Sequence, residues 1–211
     1  LVTIRPEQFT FGRSLNLGCA AATGDVLVFA SAHVYPIYDD WLEAMVRPFE
    51  DETVALTYGR QVGDHRTRFS EHQVFAKWFP ERSVEHQNHP FCNNANAAVR
   101  RTVWLGLPYD ESLTGLEDMD WAQKAMAAGH AISYVAEAPV AHIHNERYAQ
   151  IRNRYRREAI AHRRIFPEQR MSRSQAIRFG LANIASDYWH ALLKGKVLEA
   201  YADIPRFRIA Q

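Results

Sequence analysis

Cysteine is nearly absent from this chain: two residues in 211, Cys19 and Cys92. Two thiols so far apart make no disulfide framework and lack the paired spacing of a zinc site, which points to a reducing compartment. Long apolar runs are missing as well. The longest, 26–35, is broken by Ser31 and His33, well short of the ~20 residues that span a bilayer. Excess charge is absent: 25 Lys and Arg against 24 Asp and Glu leave a formal net charge of +1, so composition implies no polyanionic partner. There is no internal repeat and no low-complexity linker. The opening Leu-Val-Thr-Ile-Arg-Pro has neither the charged nor the apolar region of a signal peptide. It starts on a strand-like run without an initiator Met and reads as part of something longer.

What remains is ordinary globular material, 47% hydrophobic and 23% charged, enough for one domain or a domain with an extension. After an opening strand, 11–23 is compatible with a helix, with Gly24 as a left-handed stop. The continuous apolar run 26–30 predicts a strand buried on both faces. Ser31-Ala32-His33-Val34-Tyr35-Pro36 leaves it as a loop, Asp39 or Asp40 caps a helix carrying Trp41, Met45 and Phe49, and 54–58 is a second buried strand. This strand, helix, strand rhythm predicts βαβ units, a largely parallel sheet, and ligands beyond the carboxyl ends of its strands. Residues 60–92 are polar, weakly periodic and rich in His, including His65, His72, His86 and His89, none at ligand spacing; they read as a functional loop or lid.

The most informative stretch is Gly115-Leu116-Glu117-Asp118-Met119-Asp120-Trp121. Three carboxylates in four positions repel one another unless a proton, a cation or a donor is placed among them. The plainer reading is a helix start, where free N–H groups and the macrodipole favour negative charge, with Trp121, Ala122, Ala125 and Met126 continuing an apolar stripe. Gly129 ends that helix, and strand-like pieces 132–135 and 140–143 lead into His142-Ile143-His144-Asn145. From Glu146 the composition shifts to an Arg-rich helical stretch and then a last helical region, 174–194.

Four pieces in this order resemble the inverting family 2 glycosyltransferases with the GT-A fold: Gly24-Asp25 with its strand and the tripeptide Ser31-Ala32-His33; Phe91-Cys92-Asn93-Asn94-Ala95-Asn96 running to Arg101; the acidic heptad; and Val140-Ala141-His142-Ile143-His144-Asn145. The nearest subgroup looks like the bacterial rhamnosyltransferases of surface-polysaccharide synthesis. The resemblance implies an α/β, Rossmann-like, mixed and mostly parallel sheet with flanking helices, N-terminally incomplete, over residues 1–145, and a helical extension over 146–211. The strands that hold base and ribose in complete members have no counterpart here.

The same resemblance implies a sugar, such as the 6-deoxyhexose rhamnose, passing with inversion from a nucleotide-sugar donor to a saccharide or lipid-linked saccharide acceptor. Asp118 takes the position of the base, and Glu117 orients acceptor or loop. His33 and His142, with Ser31, take the metal positions; one hydroxyl and imidazoles in place of the usual carboxylates suit Mn2+ better than Mg2+. Trp121, Asn96, Arg100, Asp120 and His144 are the expected substrate-side residues: Trp121 as a flat face for a sugar ring or, equally, a core residue, Arg100 or Arg101 for the diphosphate, Asp120 also as a tie within the helix, His144 as a partner behind His142 with which it could exchange roles. The expected location is the cytoplasm, at the inner face of the membrane if the Arg-rich helix meets anionic headgroups. Two other readings stay open: a non-catalytic fragment that binds carbohydrate or a partner protein, and a peripheral membrane or nucleic-acid binder acting through that helix, nucleic acid being the least favoured since no nucleic-acid fold signature accompanies it.

Overall fold

The computed structural model describes residues 1–211, which divide into two compact units: 1–62 with 79–142, and 63–78 with 143–211. The first is built on a five-stranded sheet of β1 (Val26–Ala30), β2 (Val34–Pro36), β3 (Val54–Val62), β4 (Asn96–Arg100) and β5 (Ala131–His142), in the order β1-β4-β3-β5-β2. It also carries α1 (Phe11–Ala21), α2 (Trp41–Val46), α4 (Arg101–Gly106) and α5 (Glu117–Ala127).

The α/β class and the mixed sheet agree with the sequence; the balance of directions inside the sheet does not. Only β3 and β5 pair in parallel, whereas β1/β4, β3/β4 and β2/β5 are antiparallel. The rhythm of strands and helices shows which segments are extended, and β4 inserts between β1 and β3 against their direction. β1 is therefore an edge strand and not one buried on both faces: Val28 is 37% exposed.

Other local expectations change too. Residues 1–4 form no strand, and 34–36 forms β2 where a loop is expected. The strand-like pieces 132–135 and 140–143 are one strand, kinked by a register shift opposite Gly59 and Gln61. The left-handed stop lies at Gly129 (φ 91°) but not at Gly24, since α1 ends on Ala22 in extended conformation. Thr10 caps α1 by accepting from the Arg13 N–H at 3.1 Å, whereas Asp40 precedes α2 without a side-chain cap.

Packing explains the rest. Ala44, Met45 and Phe49 of the α2 region bury against Val54, Ala98, Val135 and Ala138. At Gly59 the backbones close up, and an added Cβ would collide with the Ala138 carbonyl and the Asn96 amide. That close approach accounts for the glycine in the middle of β3.

The second unit is helical: α3 (Phe69–Trp78), α6 (Tyr148–Ile165), α7 (Arg173–Leu193), α8 (Val197–Ala200) and α9 (Asp203–Ala210). The expected loop 60–92 thus ends β3 and contains α3. That helix carries Phe69 against the Ala191, Ala200 and Ile204 cluster and Val74 against Ile151, Phe207 and Ala210, which assigns 63–78 to this unit along with the tail. The polar composition of 60–92 hides these two apolar anchors. A bidentate pair, Arg208 Nε and Nη2 on the Asp187 carboxylate at 2.8 Å each, is buried within the unit.

Candidate active site

Two imidazoles meet at the carboxyl ends of the strands in the first unit. The register Val34↔His142 lays the start of β2 beside the end of β5, and His33 immediately precedes β2. The two Nε2 atoms lie 2.9 Å apart, with ring centroids at 4.7 Å. Ser31 shapes the turn between them through its backbone, its N–H donating to the Ala95 carbonyl and its carbonyl accepting from the Val34 N–H, each at 3.1 Å.

The protonation of His142 follows from its hydrogen-bond chain. Asn93 Oδ1 accepts the Ala95 backbone N–H at 3.0 Å, which fixes that atom as the amide oxygen. The Gln61 atom facing it at 3.0 Å is therefore the donor Nε2. Gln61 then turns Oε1 to His142 Nδ1 at 2.6 Å, and Nδ1 must carry the proton. His142 Nε2 is left with its lone pair directed at His33. A backbone amide thus sets the tautomer of a buried histidine through two side-chain amides, the arrangement that orients imidazoles for metal binding. Two nitrogens ligating one ion at right angles at about 2.1 Å sit about 3 Å apart, so the pair has the spacing of two adjacent ligands.

The turn at 93–95 reaches the carboxylates as well. Asn94 N–H donates to Asp118 Oδ2 at 3.1 Å and Met119 N–H to Oδ1 at 2.8 Å. Glu117 and Asp118 are both buried, in the first turn of α5. The residue before them, Leu116, is left-handed at φ 56°, a conformation a leucine adopts only when its surroundings hold it there. Burial raises the Asp118 pKa above the ordinary carboxylate value, against the backbone N–H groups of Asn94, Met119 and Asp118 itself, which lower it. Desolvation thus outweighs the hydrogen bonds that favour the ionised form. A raised pKa makes the carboxylate a stronger base for an acceptor hydroxyl. Cys92 is no competing nucleophile, since burial, then Asp118, then Glu117, push its thiol well above the ordinary value.

Several expected substrate residues are structural. Trp121 is fully buried, donates Nε1–H to the Leu107 carbonyl at 2.5 Å and packs on Tyr109, so it offers no face to a sugar. Asn96 is fully buried, accepting from Trp41 Nε1 at 2.9 Å and donating to the Ala138 carbonyl at 2.9 Å and the Arg60 carbonyl at 3.2 Å. Arg100 is spent on the carbonyls of Val54, Phe49 and Asp51, and Arg101 on that of Ala22. Asp120 pairs with Lys124 at 2.6 Å along the helix. His144 belongs to the second unit, where Nδ1 meets the buried Glu71 at 2.7 Å and the ring stacks on Phe75. Sequence reasoning missed Gln61 and the separate tasks of Asn93 and Asn94. The signal for the first was slight: one polar residue just beyond the apolar run 54–58, which the structure places 1% exposed near the end of β3.

A mixed sheet with an imidazole pair at its strand ends and a carboxylate-led helix tied to the same turn defines a GT-A type transferase fold. The comparisons agree. Residues 1–104 match the family model described as glycosyl transferase family 2. The chain is 30% identical over 173 residues to the O-antigen chain rhamnosyltransferase WbaN of Salmonella anatum, covering 77% of this chain and 55% of that protein. It is 28% identical over 156 residues to the O-antigen chain rhamnosyltransferase RfbN of Salmonella typhimurium, covering 69% and 50%. It thus spans about half the length of these curated relatives. Among solved structures it is similar in fold to the mannosyltransferase PcManGT of Pyrobaculum calidifontis, determined with GDP-Man and Mn2+, at 17% identity and a TM-score of 0.58 over 95% of this chain and 65% of that one. Residues 1–104, just under half of the chain, thus carry the glycosyl transferase family 2 match, and the curated proteins it resembles are of rhamnosyltransferase type.

Proposed function

We propose that this chain carries the catalytic side of an inverting glycosyltransferase that moves a sugar, in particular a 6-deoxyhexose such as rhamnose, from a nucleoside diphosphate donor to a saccharide acceptor during cell-surface polysaccharide synthesis. The observation that carries the reading is the turn at 93–95, which holds the Asp118 carboxylate by one backbone N–H and the tautomer of His142 through Asn93 and Gln61. The curated rhamnosyltransferase relatives support the sugar and the polysaccharide setting.

In an inverting transfer the acceptor hydroxyl attacks the anomeric carbon as the nucleoside diphosphate leaves. Asp118 takes the hydroxyl proton, with its Oδ2 steered by the Asn94 N–H, and Glu117 beside it orients the acceptor. His33 and His142 fit a divalent cation by the spacing and tautomer of their Nε2 atoms, and imidazole donors favour Mn2+ over Mg2+. Such an ion, when bound, supplies positive charge where the diphosphate gathers negative charge. The acceptor we favour is a lipid-linked saccharide met at the inner face of the membrane.

The test is calorimetric titration of this chain with dTDP and UDP, with and without Mn2+. Binding that requires Mn2+ and is lost in His142→Ala supports the reading. Binding indifferent to both would remove the imidazole pair from the donor site.

A further inference from the structure

We infer that the outward face of α7 is a membrane-contact surface that lies in the headgroup region of an anionic bilayer. Leu181, Ala185, Trp189 and Leu192 follow at spacings of four, four and three residues and so share one helix face. The neighbouring face, about 100° round the helix, is already used: Asp187 and Ala191 are buried, and Ile184 and Tyr188 pack against Ala191, Ala200 and Ile204. The outward side chains have no such cover, with Leu181 62%, Trp189 60%, Leu192 60% and Leu193 67% exposed. An apolar stripe of this length on a soluble surface marks an interaction site.

Charge decides the occupant. Between Arg170 and Lys196 the chain carries five cations, Arg170, Arg173, Arg178, Lys194 and Lys196, all exposed, and one carboxylate, Asp187. Asp187 is 1% exposed and neutralised by Arg208. Within this window the exposed charge is therefore of one sign, with the exposed Glu168 and Glu199 lying just beyond its two ends. A second copy docking on this face would bring cation against cation, whereas an anionic lipid surface meets the cations with phosphates and the stripe with acyl chains. Trp189 in mid-stripe suits the boundary between headgroup and hydrocarbon. No helix of the chain is long and apolar enough to cross a membrane, which leaves the in-plane arrangement for α7. The Arg-rich α6, where the sequence placed such a contact, has its Arg154 committed to Glu146 and Glu71. This inference stands on the second unit alone and does not depend on the transfer reaction proposed above.

The experiment is sedimentation of the full chain with vesicles of phosphatidylglycerol mixed into phosphatidylcholine, and with phosphatidylcholine alone. We expect binding to the anionic vesicles that weakens as salt rises. The triple variant Leu181→Glu, Trp189→Glu, Leu192→Glu changes only exposed positions and should keep the wild-type melting temperature while losing partitioning at least about tenfold. Quenching by brominated lipid, compared between wild type and Trp189→Phe to separate this Trp from the other four of the chain's five, should be strong only where Trp189 is present. A wild-type chain that stays in the supernatant, or a triple variant that binds as wild type does, would overturn the inference. So would a concentration-dependent dimer in the absence of lipid that the triple variant abolishes, since that outcome gives the stripe to a second copy.

Discussion

The Nε2 atoms of His33 and His142 are 2.9 Å apart although 109 residues separate them in the chain. The antiparallel register of β2 on β5 produces the approach, and Gln61 Oε1 on His142 Nδ1 gives it chemical direction. One imidazole presents a fixed lone pair to the other.

Gln61 is then the most sensitive position outside the pair itself. Gln61→Leu removes the acceptor of the His142 Nδ1 proton and should weaken Mn2+ binding about 10- to 100-fold, the usual loss when a partner behind a metal-binding histidine is removed. Asn93→Asp keeps an acceptor for both Gln61 and the Ala95 N–H and should leave the affinity near wild type. Titration of Mn2+ followed by electron paramagnetic resonance separates the two variants, and equal effects would show that the chain of amides does not set the tautomer.

Asp118 also has a stability signature. Its folded pKa is raised by burial, so the folded state holds the proton more tightly than the unfolded one. Its contribution is therefore most favourable below the unfolded carboxylate range and is lost as pH rises through the raised folded value. The melting temperature of Asp118→Asn relative to wild type should therefore rise as pH is raised from ~3, near the lower end of that range, over a constant offset from the one backbone N–H that the Asn amide NH2 cannot accept. A difference that does not change with pH would mean that burial does not raise this carboxyl in the folded chain.

Asn96 and Arg100 should behave as parts of the scaffold. Asn96→Ala leaves the Trp41 Nε1–H and two carbonyls without their buried partner and should cost about 2–4 kcal/mol in chemical denaturation. Arg100→Ala should cost about 1–2 kcal/mol. Neither should change the affinity for a nucleoside diphosphate by more than the loss of folded protein explains. A selective loss of that affinity in folded Arg100→Ala would return the residue to the diphosphate.

The pair between Asp187 and Arg208 is 2% and 6% exposed in its side chains. Asp187→Ala should destabilise the chain by about 3–5 kcal/mol, because it strands a buried guanidinium. Replacing both residues by Leu should recover most of that loss, and a double variant as unstable as the single one would mean the pair positions α7 and α9 by more than charge compensation.

What the sequence discloses divides along physical lines. Local patterns do well: Gly129, the apolar runs at 26–30 and 54–58, and the acidic start of α5 are all where chemistry over a few residues puts them. Pairing is not local. Nothing in 96–100 says that it inserts antiparallel between β1 and β3, and nothing in 34–36 says that it pairs with β5. The site shows the same division. The ordered motifs lead to His33, His142, Glu117 and Asp118, but the difference between a sugar platform and a core tryptophan at Trp121 depends on what covers it. Burial by Tyr109 and the Leu107 carbonyl is a property of the fold. Gln61 escaped for the same reason, because its meaning lies in two partners 32 and 81 residues away.

The most direct measurement is sugar transfer to a saccharide acceptor from dTDP-rhamnose by wild type and by Asp118→Asn, with circular dichroism to show that both are folded. The account predicts an inverted product from wild type and a rate about 10²- to 10⁴-fold lower in the variant, the range for loss of a positioned base. Transfer by Asp118→Asn at the wild-type rate would contradict it.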